Sequence, residues 1–170
     1  VELTLRRDAE RGVAGWISLV LARADDFVDD AWRPRLWDQR QAVSFGTSWT
    51  GVLWNVSIAG QWHSGTPATQ LGVESITLPD GGDVLHATTG PINAERLDPY
   101  ARLDLRVNRD VRLAGSRLSF YLEVTNLMDR KNPCCVNDYH AVEGRSGPVL
   151  VLDEGYWMPL LPSLGFQWEF

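Results

Sequence analysis

Apolar and polar residues alternate along most of this chain. In the C-terminal segment the apolar positions are Leu164, Phe166, Trp168 and Phe170, and small or polar residues separate them. Successive side chains of a β-strand point to opposite faces, so a period of two places large apolar groups on one face and polar groups on the other. Helical periodicity is weak throughout. The pattern therefore predicts an all-β protein with antiparallel strands.

Seven segments carry the alternation and are predicted as strands. They are Glu2–Arg7, Ala14–Ala24, Gln39–Trp49, Val52–His63, Tyr100–Val107, Arg117–Leu127 and a C-terminal strand that begins near Pro162. Most of them are longer than the mean strand of a soluble protein, about 5–6 residues. They approach the length of roughly 9–11 residues that a tilted strand needs to cross a bilayer. Strand length therefore favours a membrane sheet.

The connections between these strands alternate in length. Turns after the first, third and fifth strands are short, and connections after the second, fourth and sixth are long. The long ones are Asp25–Asp38, Ser64–Pro99 and Met128–Leu161, and the short ones include Thr50-Gly51 and Asn108–Gly115. Outer-membrane barrels have short periplasmic turns and long extracellular loops. Within Ser64–Pro99, Val73–Leu78 and Val84–Thr88 are predicted to form a hairpin around a Pro-Asp-Gly-Gly turn.

Composition narrows the classes of function. The chain has 170 residues, enough for one domain, and a net charge of −6. No run of 18 apolar residues predicts a transmembrane helix, and the absence of a basic patch argues against nucleic-acid binding. The N-terminus shows no signal peptide, which indicates a mature or truncated product, or a cytosolic one. The eight tryptophans fit either a membrane-interface belt or a Trp-rich soluble β core.

An open seven-stranded sheet is incompatible with lipid. Each unpaired backbone group in the hydrocarbon costs several kcal/mol, so both edges must be covered. Further strands are expected, most simply from sequence preceding Val1. An eighth strand within Ser64–Pro99 would instead close a small barrel, but it would break the alternation of short and long connections.

Short stretches of this chain carry recognisable elements in a fixed order. Trp37-Asp38-Gln39-Arg40 opens the third strand, and the fourth ends in Gln61-Trp62-His63-Ser64-Gly65-Thr66-Pro67. Leu97-Asp98-Pro99-Tyr100-Ala101-Arg102-Leu103-Asp104 leads into the fifth strand. The sixth closes with Tyr121-Leu122-Glu123-Val124-Thr125-Asn126-Leu127-Met128-Asp129, followed by Asn132-Pro133. The end of the chain fits a polar-x-Gly-x-x-aromatic-x-Phe signal through Ser163, Gly165, Trp168 and Phe170.

In this order, the elements resemble the C-terminal third of a TonB-dependent outer-membrane receptor. The resemblance implies that residues 1–170 form part of an antiparallel transmembrane β-barrel in the outer membrane of a Gram-negative bacterium. It implies a porin-like wall and extracellular loops for uptake of a siderophore, vitamin or glycan. The expected partners are outer-membrane lipid, the barrel assembly machinery that reads the terminal signal, and the remaining barrel and plug, in the same or another chain. No plug is recognised in this sequence, so contact with TonB is expected only through one, and the chain is interpreted as a fragment, part of a split receptor or a degenerate product.

Candidate ligand-binding residues lie near the strand ends. Arginine and tryptophan together can hold an anionic or aromatic ligand through charge and stacking; the alternative is an aromatic girdle with surface arginines. The candidates, in a loop or the lumen, are Trp32, Arg33, Arg35, Trp37, Arg40 and His63. No cofactor, metal site or catalytic group is predicted, because the three histidines lack ligand spacing. The adjacent Cys134 and Cys135 are either two loop thiols or a strained vicinal disulfide.

Two alternatives to the receptor remain. One is a small autonomous outer-membrane barrel that acts as an adhesin or a structural protein. The other is a soluble, ligand-binding β-sandwich, which predicts that Leu103, Leu105, Phe120 and Leu122 are buried against a second sheet. An enzyme is the least favoured class.

Overall fold

The computed structural model describes residues 1–113, 115–145 and 147–170. In these ranges the chain forms antiparallel strands, with no helix that is long and apolar enough to cross a membrane. The strands are β1 (Glu2–Arg7), β2 (Gly12–Leu21), β3 (Asp25–Val28), β4 (Ala31–Pro34), β5 (Gln41–Thr50), β6 (Trp54–His63), β7 (Pro67–Ala68), β8 (Leu71–Thr77), β9 (Asp83–Thr89), β10 (Glu95–Arg96), β11 (Tyr100–Leu113), β12 (Ser116–Thr125), β13 (Pro133–Gly144), β14 (Gly147–Tyr156) and β15 (Leu161–Glu169). The predicted all-β, antiparallel class is confirmed.

A seven-stranded main sheet contains all seven predicted strands, in the order β1-β2-β5-β6-β11-β12-β15. Strand ends differ from the prediction where cross-strand pairing extends beyond the apolar alternation or stops short of it. The largest difference is in β11, which runs to Leu113 because Val111 pairs with Leu118 and Leu113 with Ser116. The predicted turn Asn108–Gly115 is correspondingly shorter, and its Ala114 lies outside the described residues.

The register of the main sheet aligns the apolar rows of its strands. Leu5, Ile17 and Phe45 lie side by side on β1, β2 and β5. The apolar face, so defined, comprises Leu3, Leu5, Ile17, Leu19, Val43, Phe45, Trp49, Val56, Ile58, Trp62, Leu103, Leu105, Val107, Leu118, Phe120, Leu122, Val124, Leu164, Phe166 and Trp168. The polar face comprises Thr4, Trp16, Ser18, Ser44, Ser48, Asn55, Ser57, Gln61, Arg102, Asp104, Arg106, Asn108, Asp110, Ser119, Tyr121, Glu123, Ser163 and Gln167.

The three long connections leave the same end of the main sheet, where β2, β6 and β12 finish; this is the loop end. They contain small two-stranded sheets: β3 with β4, β7 with β10, β8 with β9, and β13 with β14. The predicted hairpin in Ser64–Pro99 is confirmed as β8–β9. It stays separate from the main sheet, so the eighth strand that a small closed barrel would need is not supplied there. Among the described strands, β1 and β15 are open edges.

A conventional hydrophobic core is missing from the described part of the chain, where Tyr100 and Pro67 are the buried apolar side chains. The accessible surface is 12215 Å², whereas a compact monomer of this mass would expose about 8,400 Å². Phe120 and Leu122, which a sandwich would bury, are exposed. Among the described residues, the apolar face therefore remains uncovered.

Candidate functional site

A buried carboxylate organises the loop end. Asp38, 1% exposed, accepts hydrogen bonds from the Ala24 amide at 2.6 Å and from Arg40 and Arg96, each at 2.5 Å. These groups come from the connections after β2 and β6, and Arg40 directly precedes β5. One carboxylate thus joins three chain segments. We call the connected residues at this end the rim network; they are Asp38, Arg40, His63, Ser64, Gly65, Arg96, Tyr100, Asn126 and Asn132.

The charge of Asp38 is fixed by its neighbours. Burial alone raises the pKa of a carboxyl group, because it disfavours the charged form. Hydrogen bonds from Arg40, Ala24 and Arg96 outweigh burial and hold the pKa of Asp38 below its ordinary value. The carboxylate therefore stays ionised at neutral pH and serves as a permanent anchor for the two guanidinium groups.

Glycine is required where the rim network passes between strands β7 and β10. A Cβ on Gly65 would lie 1.6 Å from the carbonyl oxygen of Leu97, which no side chain allows. The close approach lets Arg96 donate to the carbonyl oxygens of both Gly65 and Asp38, at 2.8 and 2.7 Å. Ser64 completes this corner by accepting from the Arg40 amide at 2.9 Å.

Tyr100 is the first residue of β11 and packs against the end of β6. Its ring stacks on His63 with centroids 4.9 Å apart and planes 2° apart, and its hydroxyl accepts a hydrogen bond from Gln61 at 3.2 Å. Both contacts cross from β11 to β6. The side chain of His63 therefore contributes to the contact between two neighbouring strands.

Two asparagines close the rim network beside β11 and β12. The Asn132 side chain accepts from the Ala101 amide at 2.8 Å and donates to the Ala101 carbonyl at 2.9 Å, as a neighbouring strand would. Asn126, fully buried and with φ of 53°, donates to the carbonyls of Arg130 and Met158. Both amides satisfy backbone groups where the regular ladder ends.

Asn132→Ala is expected to destabilise the protein by about 1–3 kcal/mol, because it leaves the Ala101 amide and carbonyl without their partner. Urea unfolding of the protein measures the change. Asn55→Ala, which removes one side-chain bond to Thr50, is the matched control and should cost about 1 kcal/mol or less. Equal losses in the two variants would contradict the strand-like role of Asn132.

An apolar cleft of about 520 Å³ lies above the rim network. Its walls come from the segment after β4, from β7 and its flanks, from the start of β8, from the residue after β10 and from β13. They comprise Leu36, Trp37, Thr66, Pro67, Ala68, Thr69, Leu71, Leu97, Cys134, Cys135, Val136 and Tyr139. Aromatic rings and aliphatic groups dominate, so the cleft fits an apolar or aromatic group.

The predicted ligand residues fall into separate places. Trp32 is exposed on β4 beside Phe27, at a centroid distance of 5.4 Å; Arg33 shares that hairpin, and Arg35 follows it and is paired with Asp26 at 2.6 Å. Of the candidates, only Trp37 lines the cleft. Arg40 and His63 belong to the rim network, where each is engaged by protein groups.

The predicted assembly signal lies on β15 and just beyond it. Ser163 is on the polar face, and a Cβ on Gly165 would lie 2.6 Å from the ring of Tyr121 on β12. Glycine at this position thus gives Tyr121 room to lie across β15. Trp168 and Phe170 make an edge contact with ring centroids 5.8 Å apart.

The cleft residues Leu36 and Tyr139 were not predicted from the sequence, because neither belongs to a recognisable motif. Leu97 begins a predicted element but was not predicted to bind a ligand. Arg96 was also missed, although it directly precedes the predicted element Leu97–Asp104. Among the described residues, no group of three His, Cys, Asp or Glu side chains is placed to hold a metal ion. The chain matches no protein family, no curated protein and no solved structure.

Proposed function

We propose that this chain forms part of the wall of an outer-membrane β-barrel of the TonB-dependent receptor kind. The apolar face contacts lipid, the polar face lines the lumen, and the loop end projects outside the cell. There it contributes to the uptake of a siderophore, a vitamin or a glycan. The observation that carries the proposal is the inverted exposure of the main sheet.

Exposure along β2 is the reverse of that in a soluble protein. Ser18, on the polar face, is 7% exposed, whereas its chain neighbours Ile17 and Leu19 are 40% and 42% exposed. A soluble domain buries the aliphatic residues and exposes the serine. In a bilayer the same aliphatic side chains contact acyl chains, so the arrangement is favourable.

The dimensions of the main sheet support a membrane position. Strands β2, β5, β6 and β12 have 10 residues each, within the range of roughly 9–11 for tilted membrane strands. The short turns lie at one end, and the three elaborated connections lie at the other. Outer-membrane barrels have this polarity.

The polar face suits a hydrated lumen. Arg106 on β11 contacts Glu123 on β12 at 3.0 Å, and Arg117 contacts Asp110 at 2.5 Å. Such partly exposed pairs contribute about 0.2–1 kcal/mol each. Because the paired side chains are partly exposed, they can line the wall of the lumen in contact with water.

The open edges β1 and β15 define what completes the barrel. Each carries a row of backbone donors and acceptors, and each unpaired group in lipid costs several kcal/mol. Additional strands therefore pair with both edges, from the same polypeptide or from another. The family-like stretches support the same assignment, since Asp38, Gly65, Tyr100 and Asn126 all lie in the rim network at the loop end.

Nitroxide labels at positions 17 and 18 test the proposal. They are introduced one at a time in a Cys134→Ser/Cys135→Ser background of the protein assembled in outer-membrane vesicles. A label at position 17 should collide mainly with oxygen, which concentrates in lipid, and a label at position 18 mainly with a water-soluble nickel chelate. If position 17 is shielded from both reagents, the apolar face is covered by protein, as in a sandwich, and the proposal fails.

A further inference from the structure

The base of the β13–β14 hairpin contains two closely spaced β-bulges. The pairing of β13 with β14 advances from Pro133 to Cys135 while β14 moves by one residue, from Tyr156 to Gly155. It advances again from Val136 to Asp138 while β14 moves by one residue, from Glu154 to Asp153. A bulge inserts an extra residue and re-aims its side chain. Here the inserted residues are Cys134 and Asn137.

These bulges bring three donor atoms to one point above Gly155. A Cβ on Gly155 would lie 2.6 Å from Cys135 Sγ, 3.0 Å from Cys134 Sγ and 3.1 Å from Asn137 Oδ1. The Cys135 thiol also donates to Asn137 Oδ1 at 3.5 Å. Because residue 155 is glycine, the space among the two sulfurs and the amide oxygen is left open.

The two thiols are free and mutually close. Neither cysteine is in a disulfide, and both sulfurs lie within 3.0 Å of the same point above Gly155. Cys135 is exposed, so the cluster is accessible from solvent, and both cysteines also line the apolar cleft. A ligand can therefore approach without unfolding the hairpin.

The donor set selects a class of ligand. Thiolates favour soft cations such as monovalent copper, whereas carboxylates and carbonyls favour hard ones. Structural zinc usually takes four Cys or His ligands; the cluster supplies two sulfurs and one amide oxygen, which suits an ion of low coordination number.

We propose that Cys134, Cys135 and Asn137 form a binding site for one thiophilic cation, of which monovalent copper is the representative. Both thiols lose their protons on binding, so one Cu⁺ and two Cys–SH groups give a bis-thiolate complex of net charge −1 and two H⁺. No electron is transferred. The site is independent of the proposed transport function, since it needs only the folded β13–β14 hairpin.

Competition with a chromophoric Cu⁺ chelator under anaerobic, reducing conditions tests the site on the full chain. The native protein should hold one Cu⁺. Cys134→Ser and Cys135→Ser should each lose more than about 100-fold in affinity, and Asn137→Ala about 10-fold, by analogy with the losses typical of ligand-supporting residues. Zn²⁺ bound more tightly than Cu⁺, or a single Cys→Ser variant with native affinity, would overturn the proposal.

Gly155→Ala separates a preformed site from the general affinity of adjacent cysteines. The added methyl group fills the space among the donors, so this variant should lose as much affinity as a cysteine variant while both thiols still react with a thiol reagent. Gly144→Ala is the matched control: it crowds the far end of the same hairpin, where a Cβ would lie 2.6 Å from Val149. Native affinity in Gly155→Ala, or equal losses in both glycine variants, would refute the site above Gly155.

Discussion

Replacement of Phe45 by arginine is expected to lower the stability of the protein in a bilayer by about 2–4 kcal/mol, because the proposed function places this residue on the lipid face, where an arginine near the bilayer midplane carries that cost. Phe45 lies in the middle of β5, and its neighbours on the apolar face are Ile17 and Gly60. A guanidinium group there must leave water for hydrocarbon. Urea unfolding of the protein in lipid bilayers measures the loss.

Ser44→Arg is the matched control for this substitution. Ser44 is the preceding residue, faces the other side of β5 and lies between Ser18 and Gln61. On the proposed function, the same charge remains in the hydrated lumen and should change stability by less than about 0.5 kcal/mol. If Ser44→Arg is the more damaging of the two, the sheet faces the other way and the lipid contact is assigned to the wrong side.

Asp38→Asn is expected to loosen the loop end by about 2–3 kcal/mol. A buried pair that loses one partner typically costs roughly 3–5 kcal/mol, and the effect is smaller here because the Arg40 and Arg96 side chains are 36% and 31% exposed. In the variant, the guanidinium groups of Arg40 and Arg96 face a neutral amide in place of the carboxylate. Hydrogen exchange at the Ala24 amide, which donates to Asp38, reports the local opening.

Asp26→Asn provides the comparison, since Asp26 pairs with Arg35 where both side chains are about half exposed. Such a surface pair is worth about 0–1 kcal/mol, so the Ala24 amide should keep its protection. Protonation of the Asp38 carboxylate at low pH is expected to have the same effect as Asp38→Asn. Because the folded-state pKa of Asp38 is lowered, its stabilisation is complete above the unfolded value near about 4 and is lost as pH falls through the lower folded value. Unchanged protection in Asp38→Asn would contradict the anchoring role.

The seven long strands were predictable because each has a local two-residue period. Glu2–Arg7 was placed at its exact bounds. β6 begins two residues later than predicted and ends at the predicted His63, and β12 differs by one residue at its start and two at its end. The length of β11 was underestimated, since Arg109 interrupts its apolar row. The guanidinium group of Arg109 lies over the Trp54 ring, 4.9 Å from the ring centroid. Pairing with β12, which the sequence does not display, carries that strand further.

Two of the loop hairpins were not predicted. The β3–β4 hairpin turns through Asp29 and Asp30, both at positive φ, without a glycine to signal it. The β13–β14 hairpin contains bulges that break the alternation by which strands are recognised. The β8–β9 hairpin was found because Gly81 and Gly82 mark its turn.

The candidate site was only partly accessible to sequence reasoning. Trp37, Arg40 and His63 were singled out, but their roles differ: Trp37 lines the cleft, whereas the other two are engaged in the rim network. Arg96 and Asp38 are 58 residues apart, and no local pattern links them. The vicinal cysteines left two arrangements open, and the structure has both as free thiols.

By itself, the sequence determined the seven strands of the main sheet, their two faces and the end from which the long loops leave, because side-chain alternation and turn chemistry act over a few residues. Tertiary structure alone decided which strands pair, that the apolar face stays uncovered, and that Asp38 anchors two arginines. It also decided that Cys134, Cys135 and Asn137 converge above Gly155. Those properties depend on contacts between segments distant in the chain, whose register is set by the whole sheet and its hairpins rather than by any one stretch.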